Sequence, residues 1–187
     1  ACLEEGLKVK LNVVALKGVN EPELSDFMRL ALDHPLDIRF IEFMPVGHCS
    51  TWSRTYFWSA EEILRAAQKI TPLAPVRLRT ESSGPARMYT LPEGQGRLGL
   101  ISPMSDHFCA RCNRFRVTPD GRLRTCLFSD REYRLRPMLR SPKLGPEAVL
   151  RVLRAAGRKK PLGSELMQDY LRSDGALCQR DMNAIGG

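Results

Sequence analysis

Residues 8–16 (KVKLNVVAL) concentrate Val and Leu between Gly6 and Gly18, the pattern of a strand buried in a parallel sheet. Residues 21–34 then place Leu24, Phe27, Met28 and Ala31 at helical spacing. Pro22 falls near the first turn, where its missing N–H leaves no bond unmade. A second strand is predicted over 37–44 (DIRFIEFM), and Ser59-Ala-Glu-Glu62 is a capping box opening a helix with Ala60, Ile63, Leu64 and Ala67 on one face. Strand, helix, strand, helix at this spacing is the right-handed βαβ crossover pattern, the unit of doubly wound sheets and barrels.

After Pro72 the texture changes. Pro75, Ser82-Ser83-Gly84-Pro85, Pro92, Gly94, Gly96 and Gly99 separate short segments at 76–80, 88–91 and 97–101, which predict hairpins rather than further βα units. A domain boundary is therefore expected near Pro72, giving domains over 1–72 and 73–187. Thr118-Pro-Asp-Gly121 lies between the alternating runs RFRV and RLRTCL, the strongest hairpin signal in the chain. Helices are predicted again over 146–156, ended by Gly157, and over 164–172. The first five residues read as the end of a helix stopped at Gly6 and lack the basic start and apolar run of a signal peptide, so the chain is expected to begin partway through a larger protein.

An apolar fraction of 43% over 187 residues supports a real core and excludes overall disorder. No run approaches the roughly 20 apolar residues of a spanning helix, so no membrane is expected. The formal charge of +8 is concentrated: residues 109–140 hold nine Arg and three acids, a local +6, leaving +2 for the rest. An anion is expected to bind there, whether phosphate, nucleic acid or head groups. Arginines on a hairpin's exposed face ordinarily only solvate it, so charge alone does not decide the matter.

Three of the six cysteines cluster, which points to a metal rather than to disulfides in a chain with this much core. Cys109-Ala-Arg-Cys112 followed after thirteen residues by Cys126 brings three thiolates toward one place. Zinc would need a fourth ligand from His107 or Cys178. An iron–sulfur cubane on three Cys leaves one iron open, and its negative charge suits neighbouring arginines. Spacing alone leaves both open. In Cys112-Asn-Arg-Phe-Arg-Val117, Arg114 and Arg116 fall on one side of a strand, and each guanidinium is a planar fork for phosphate oxygens.

Cys109-x2-Cys112-Asn-Arg-x-Arg-Val with Cys126, Gly84-Pro-Ala-Arg-x-Tyr89, Arg39-Phe-Ile-Glu-Phe-Met44, Lys8-Val-Lys-Leu-Asn-Val-Val and the terminal Met182-x-x-Ile-Gly-Gly187 together resemble the MoaA family, the GTP 3′,8-cyclases of molybdenum cofactor biosynthesis. The resemblance implies a radical SAM lyase with an incomplete (β/α)6 TIM-like barrel followed by an α+β cluster region with hairpins. A CxxxCxxC loop holding the radical-generating 4Fe-4S cluster belongs to that family, and no such motif occurs here. The chain thus resembles the C-terminal part, with the N-terminal barrel half missing, and by itself is expected to be inactive.

By resemblance, Cys109, Cys112 and Cys126 hold a second 4Fe-4S cluster whose open iron meets guanine. Arg114, Phe115 and Arg116 bind GTP together with Lys10, which points inward from the start of its strand. Met44 contacts S-adenosylmethionine; from the sequence alone it reads as core filler. Arg39 is a further candidate for holding either ligand. Gly186 and Gly187 form the tail that enters the active site, where only residues without side chains fit; unaided, they read as a frayed end. The stretch 160–166 lacks the His of many relatives, which bears on tail docking and not on any ligand. The implied reaction takes hydrogen from ribose C3′ and joins that carbon to guanine C8, giving a cyclised dihydro-GTP for a MoaC-like downstream enzyme. A homodimer and, in a bacterium, a cytoplasmic location are also implied. The alternative of a different class is a zinc-bearing basic module for nucleic acid, which the sparse aromatics of the Arg cluster (Phe115, Phe128, Tyr133) and the lack of a second CxxC disfavour.

Overall fold

In the computed structural model, which describes residues 1–47, 52–76, 84–172, 178 and 180–185, the chain forms two compact units. The first takes Ala1–Met44 and Trp52–Phe108; the second takes Pro45–Thr51 and Cys109–Gly187. The first unit thus runs well past Pro72, because later strands complete the sheet that the earlier ones begin.

That sheet contains β1 (Val9–Ala15), β2 (Leu36–Glu42), β3 (Ala74–Pro75), β4 (Arg87–Thr90) and β5 (Arg97–Ile101) in the order β1-β2-β5-β4-β3. β1 and β2 are parallel and joined through α1 (Leu24–Asp33), as the periodicity predicts. β5 lies parallel to β2 and antiparallel to β4, so the expected hairpin is grafted onto the parallel pair. Of the segment 76–80, only Val76 lies within the described residues. The capping box forms in full at α2 (Ala60–Gln68): the Ser59 hydroxyl accepts from the Glu62 N–H while Glu62 accepts from the Ser59 N–H.

One face of the sheet carries the core. Ile38, Phe40, Leu98 and Leu100 meet Met28 and Ala31 of α1, Ile63 and Ala67 of α2, and Trp58, all essentially buried. Phe27 and Trp58 approach Phe40 edge-on at ring separations of 5.5 and 6.1 Å. Full burial of side chains this size contributes about 1.5–3 kcal/mol each, so this layer dominates the unit's stability. The buried-strand expectation for β1 fails: only Ala15 is buried, and Lys10, Leu11, Asn12 and Val14 are exposed. β1 ends the sheet order, and a Val/Leu-rich run is enclosed only where strands and helices flank it on all sides.

In the second unit β6 (Arg116–Val117), β7 (Arg122–Arg124) and β8 (Glu132–Arg134) form an antiparallel sheet. The predicted turn closes it: Gly121 adopts φ +77, its N–H reaches the Thr118 carbonyl at 2.9 Å, and the Thr118 hydroxyl accepts from the Arg122 N–H. A small core of Leu123, Leu135 and Ala156 joins the sheet to α3 (Arg136–Arg140), which the sequence reading did not anticipate, and to α4 (Gly145–Arg158). α4 does not stop at Gly157. The Lys159 N–H still bonds the Ala155 carbonyl, and the open space of Gly157 lies against the Phe115 ring. α5 (Gly163–Arg172) follows, then a 3-10 turn at Met182–Ile185, and among the described residues no helix is long and apolar enough to cross a membrane.

Candidate functional site

Two thiols of the second unit, Cys109 and Cys126, face one spot. A short helical turn at Cys109–Arg111 bends the chain so that the Cys112 N–H bonds the Cys109 carbonyl, and β7 delivers Cys126 from the far side of the hairpin. α5 begins against them. A methyl group built on Gly163 would stand 3.1 Å from Cys126 Sγ, 3.4 Å from Cys109 Sγ and 3.0 Å from the Phe128 ring. Both sulfurs therefore face a spot that remains open only because residue 163 has no side chain.

Cys112 joins them electrostatically. Burial pushes its thiol up, but the Arg114 backbone and the Lys160 ammonium outweigh that and hold it below the ordinary thiol value. Burial raises Cys126, to which the neighbouring Cys109 and Cys112 sulfurs add. Arg116 feels Cys112 and Cys126 directly, although its own burial, then Arg114 and Arg124, lower its pKa. Among the described residues no group of three or more His, Cys, Asp or Glu is placed to hold a metal ion. A lone zinc draws every ligand to about 2.0–2.3 Å from one centre, whereas a cubane takes each thiolate on a different iron and wants them spread. Cys109 and Cys126 face one opening, and Cys112 lies in the same loop as Cys109 with its sulfur accepting from Lys160 at 3.3 Å, a spread donor set that a wider group could take and a single ion could not. Cys178, a candidate fourth zinc ligand, instead accepts from Arg124 at 3.2 Å.

The arginines divide into two sets that the sequence does not separate. Arg114 is exposed in the loop before β6 and Arg116 is half-buried on it. The expected strand alternation covers only Arg116 and Val117, because the Arg114 carbonyl is taken by Lys160 rather than by a ladder partner. Phe115 is exposed beside them. Arg124, by contrast, is 1% exposed and bonds Glu132 at 3.0 Å, the Ser129 carbonyl and Cys178. Arg122 and Arg180 complete a clasp around Glu132 and Asp120. Bonds from the Thr118 hydroxyl and Arg122 hold the Asp120 carboxyl down at about 2. Part of the local +6 is thus consumed inside the fold.

The first unit holds the other candidates. Lys10 is exposed on the sheet face opposite the helices, in register with Asp37, which pairs bidentately with Arg97 at 2.7 and 2.8 Å. On the same face Arg39 lies over Gly99, where a methyl group would stand 2.7 Å from its Cγ, and its buried Nε has no hydrogen-bond partner. Met44, half-buried, follows β2 by two residues. Its approach is fixed by Glu42, a residue sequence reasoning passed over. That buried carboxylate accepts from the N–H groups of Ala60, Met104 and Ser105 at 2.8–2.9 Å and from the Ser105 hydroxyl. Gly186 and Gly187 lie outside the described residues.

Residues 36–166 match the family model described as Molybdenum Cofactor Synthesis C. Over 187 residues the chain is 43% identical to the GTP 3′,8-cyclase of Alkaliphilus oremlandii, covering 100% of this chain and 55% of that protein. Over 180 residues it is 48% identical to the GTP 3′,8-cyclase of Thermodesulfovibrio yellowstonii, covering 96% and 52%. The counterpart from Moorella thermoacetica is 42% identical over 188 residues, at 100% and 55% coverage. The chain spans about half the length of the curated relatives it matches.

Proposed function

The chain belongs to the Molybdenum Cofactor Synthesis C family, and from that membership we propose that it forms the substrate-orienting, cluster-bearing part of a GTP 3′,8-cyclase of the MoaA type. In this reading β1 and β2 belong to an incomplete (β/α)6 barrel, and the second unit is its cluster and GTP region. The observation that carries the reading is the opening beside Gly163 on which Cys109 and Cys126 converge, with Cys112 held by Lys160 in the same loop as Cys109.

Cys109, Cys112 and Cys126 would hold a 4Fe-4S cluster, which when bound supplies an iron with an open position for the guanine. Arg114 and Arg116 neutralise the triphosphate, their planar forks fixing oxygens that a flexible ammonium would leave free to rotate. The exposed Phe115 ring between them lines the substrate. Lys10 supplies a second cationic contact to GTP, and Met44 packs against S-adenosylmethionine. Gly186 and Gly187 serve as the tail that completes the site. Holding ribose C3′ against guanine C8 is the main catalytic contribution of these residues, since orientation removes much of the entropic barrier to ring closure. A MoaC-like enzyme receives the product, and a homodimer is the expected assembly.

Replacing Arg114 and Arg116 together with Ala tests the substrate assignment. Two charge-assisted contacts at about 1.5–3 kcal/mol each predict a loss of GTP affinity of at least roughly 100-fold, with bound iron unchanged, measured by titration calorimetry under anaerobic conditions. Unaltered GTP affinity defeats the triphosphate role.

A further inference from the structure

A cation from outside the thiol loop also reaches it. Lys160, just past the C-cap of α4, directs its ammonium to three acceptors at once: the Cys112 carbonyl at 2.7 Å, the Arg114 carbonyl at 2.9 Å and Cys112 Sγ at 3.3 Å. It also lies 5.7 Å from the centre of the Phe115 ring. An ammonium has three donors, so all of them can be engaged by one short segment of chain. A lysine that merely solvated the surface would leave its head in water. Here the half-buried stem leads it inward, 48 residues in sequence from its first acceptor.

The two carbonyls bracket Asn113, so the ammonium curls 112–114 toward itself. With the Cys112 N–H already tied to the Cys109 carbonyl, the loop is held at both ends. The contact to Cys112 Sγ is different in kind, because that sulfur belongs to the candidate ligand set. An N–H donated to a cluster thiolate withdraws electron density and stabilises the reduced, more negative form.

We propose that Lys160 is a positioning residue with two effects: it fixes the loop that presents Cys112, Arg114 and Arg116, and through its bond to Cys112 Sγ it raises the reduction potential of the cluster those thiols hold. The second effect rests on the cluster reading; the first does not. The approach of the Phe115 ring tip to Gly157 supports the first independently, since it brings the same loop against the same helix.

The test compares wild type, Lys160→Met and Lys160→Arg in the complete gene product. Hydrogen exchange of the amides at 112–116 is followed in cluster-free protein, and the midpoint potential is followed in anaerobically reconstituted protein, using the signal that Cys126→Ala removes. Lys160→Met is expected to exchange at least tenfold faster at those amides and to shift the potential downward, with Lys160→Arg restoring most of both. Exchange and potential equal to wild type overturn the proposal, and faster exchange with an unshifted potential overturns its electronic half. If Lys160→Met holds no cluster, exchange in the cluster-free protein still decides the positional half. Wild type that takes up no iron–sulfur cluster defeats the cluster reading instead, and leaves the exchange result to judge the loop.

Discussion

Replacing Arg124 with Met is expected to cost about 3 kcal/mol of folding stability, a large share of what a domain possesses. Its side chain is 1% exposed and serves Glu132, the Ser129 carbonyl and Cys178 together, with Asp130 at 3.4 Å. Removing it strands a carboxylate that is itself only 10% exposed. Breaking a buried pair from one side costs about 3–5 kcal/mol in general, and the lower end applies here because Arg122 and Arg180 remain on Glu132. Changing Glu132 to Met as well removes the stranded charge, so the double variant is expected to recover at least half of the loss. Equilibrium urea denaturation of the single and double variants reads the cycle. A single-variant loss below about 1 kcal/mol would mean the clasp behaves as an ordinary surface pair.

Gly163→Val is expected to abolish cluster binding while the protein remains folded. Even a methyl group there would crowd Cys126 Sγ at 3.1 Å and Cys109 Sγ at 3.4 Å, and the branches of Val extend beyond it into the opening between the sulfurs. Overpacking of this kind costs about 1–3 kcal/mol, which leaves a folded protein that has lost the space and not the ligands. Iron analysis after reconstitution, beside a thermal melt, separates the two. Full iron content in the Val variant would show that the cluster does not occupy that opening.

These two residues also show what the sequence could and could not tell. The capping box at Ser59 and the Thr118–Gly121 turn were legible because every group that makes them lies within four residues. Arg124 looked like one more member of an anion-binding run. Its partners lie up to 54 residues away, and no local pattern announces that an arginine will be spent inside the fold. The same distance problem hid Lys160, and Gly163 read only as the residue ahead of a helix. β1 was misjudged because burial depends on what flanks a strand, which its own Val and Leu do not specify. Gly157 was read as a stop, yet a helix tolerates glycine at about 1 kcal/mol when packing uses the space, as the Phe115 ring does here. Cys109, Cys112, Cys126 and the Arg114-x-Arg116 pair stand out in the sequence because their residue types carry the chemistry, whatever their geometry.

The claim on which the functional reading stands is that Cys109, Cys112 and Cys126 hold an iron–sulfur cubane beside cationic residues that bind the nucleotide. Anaerobic reconstitution with iron and sulfide, followed by iron, sulfide and zinc analysis and absorbance near roughly 400 nm, measures it directly when wild type is compared with the variant lacking all three thiols. About four irons and four sulfides fewer per chain are expected in the variant, with matching loss of absorbance. One zinc per wild-type chain, lost in the variant without any change in sulfide, would contradict it.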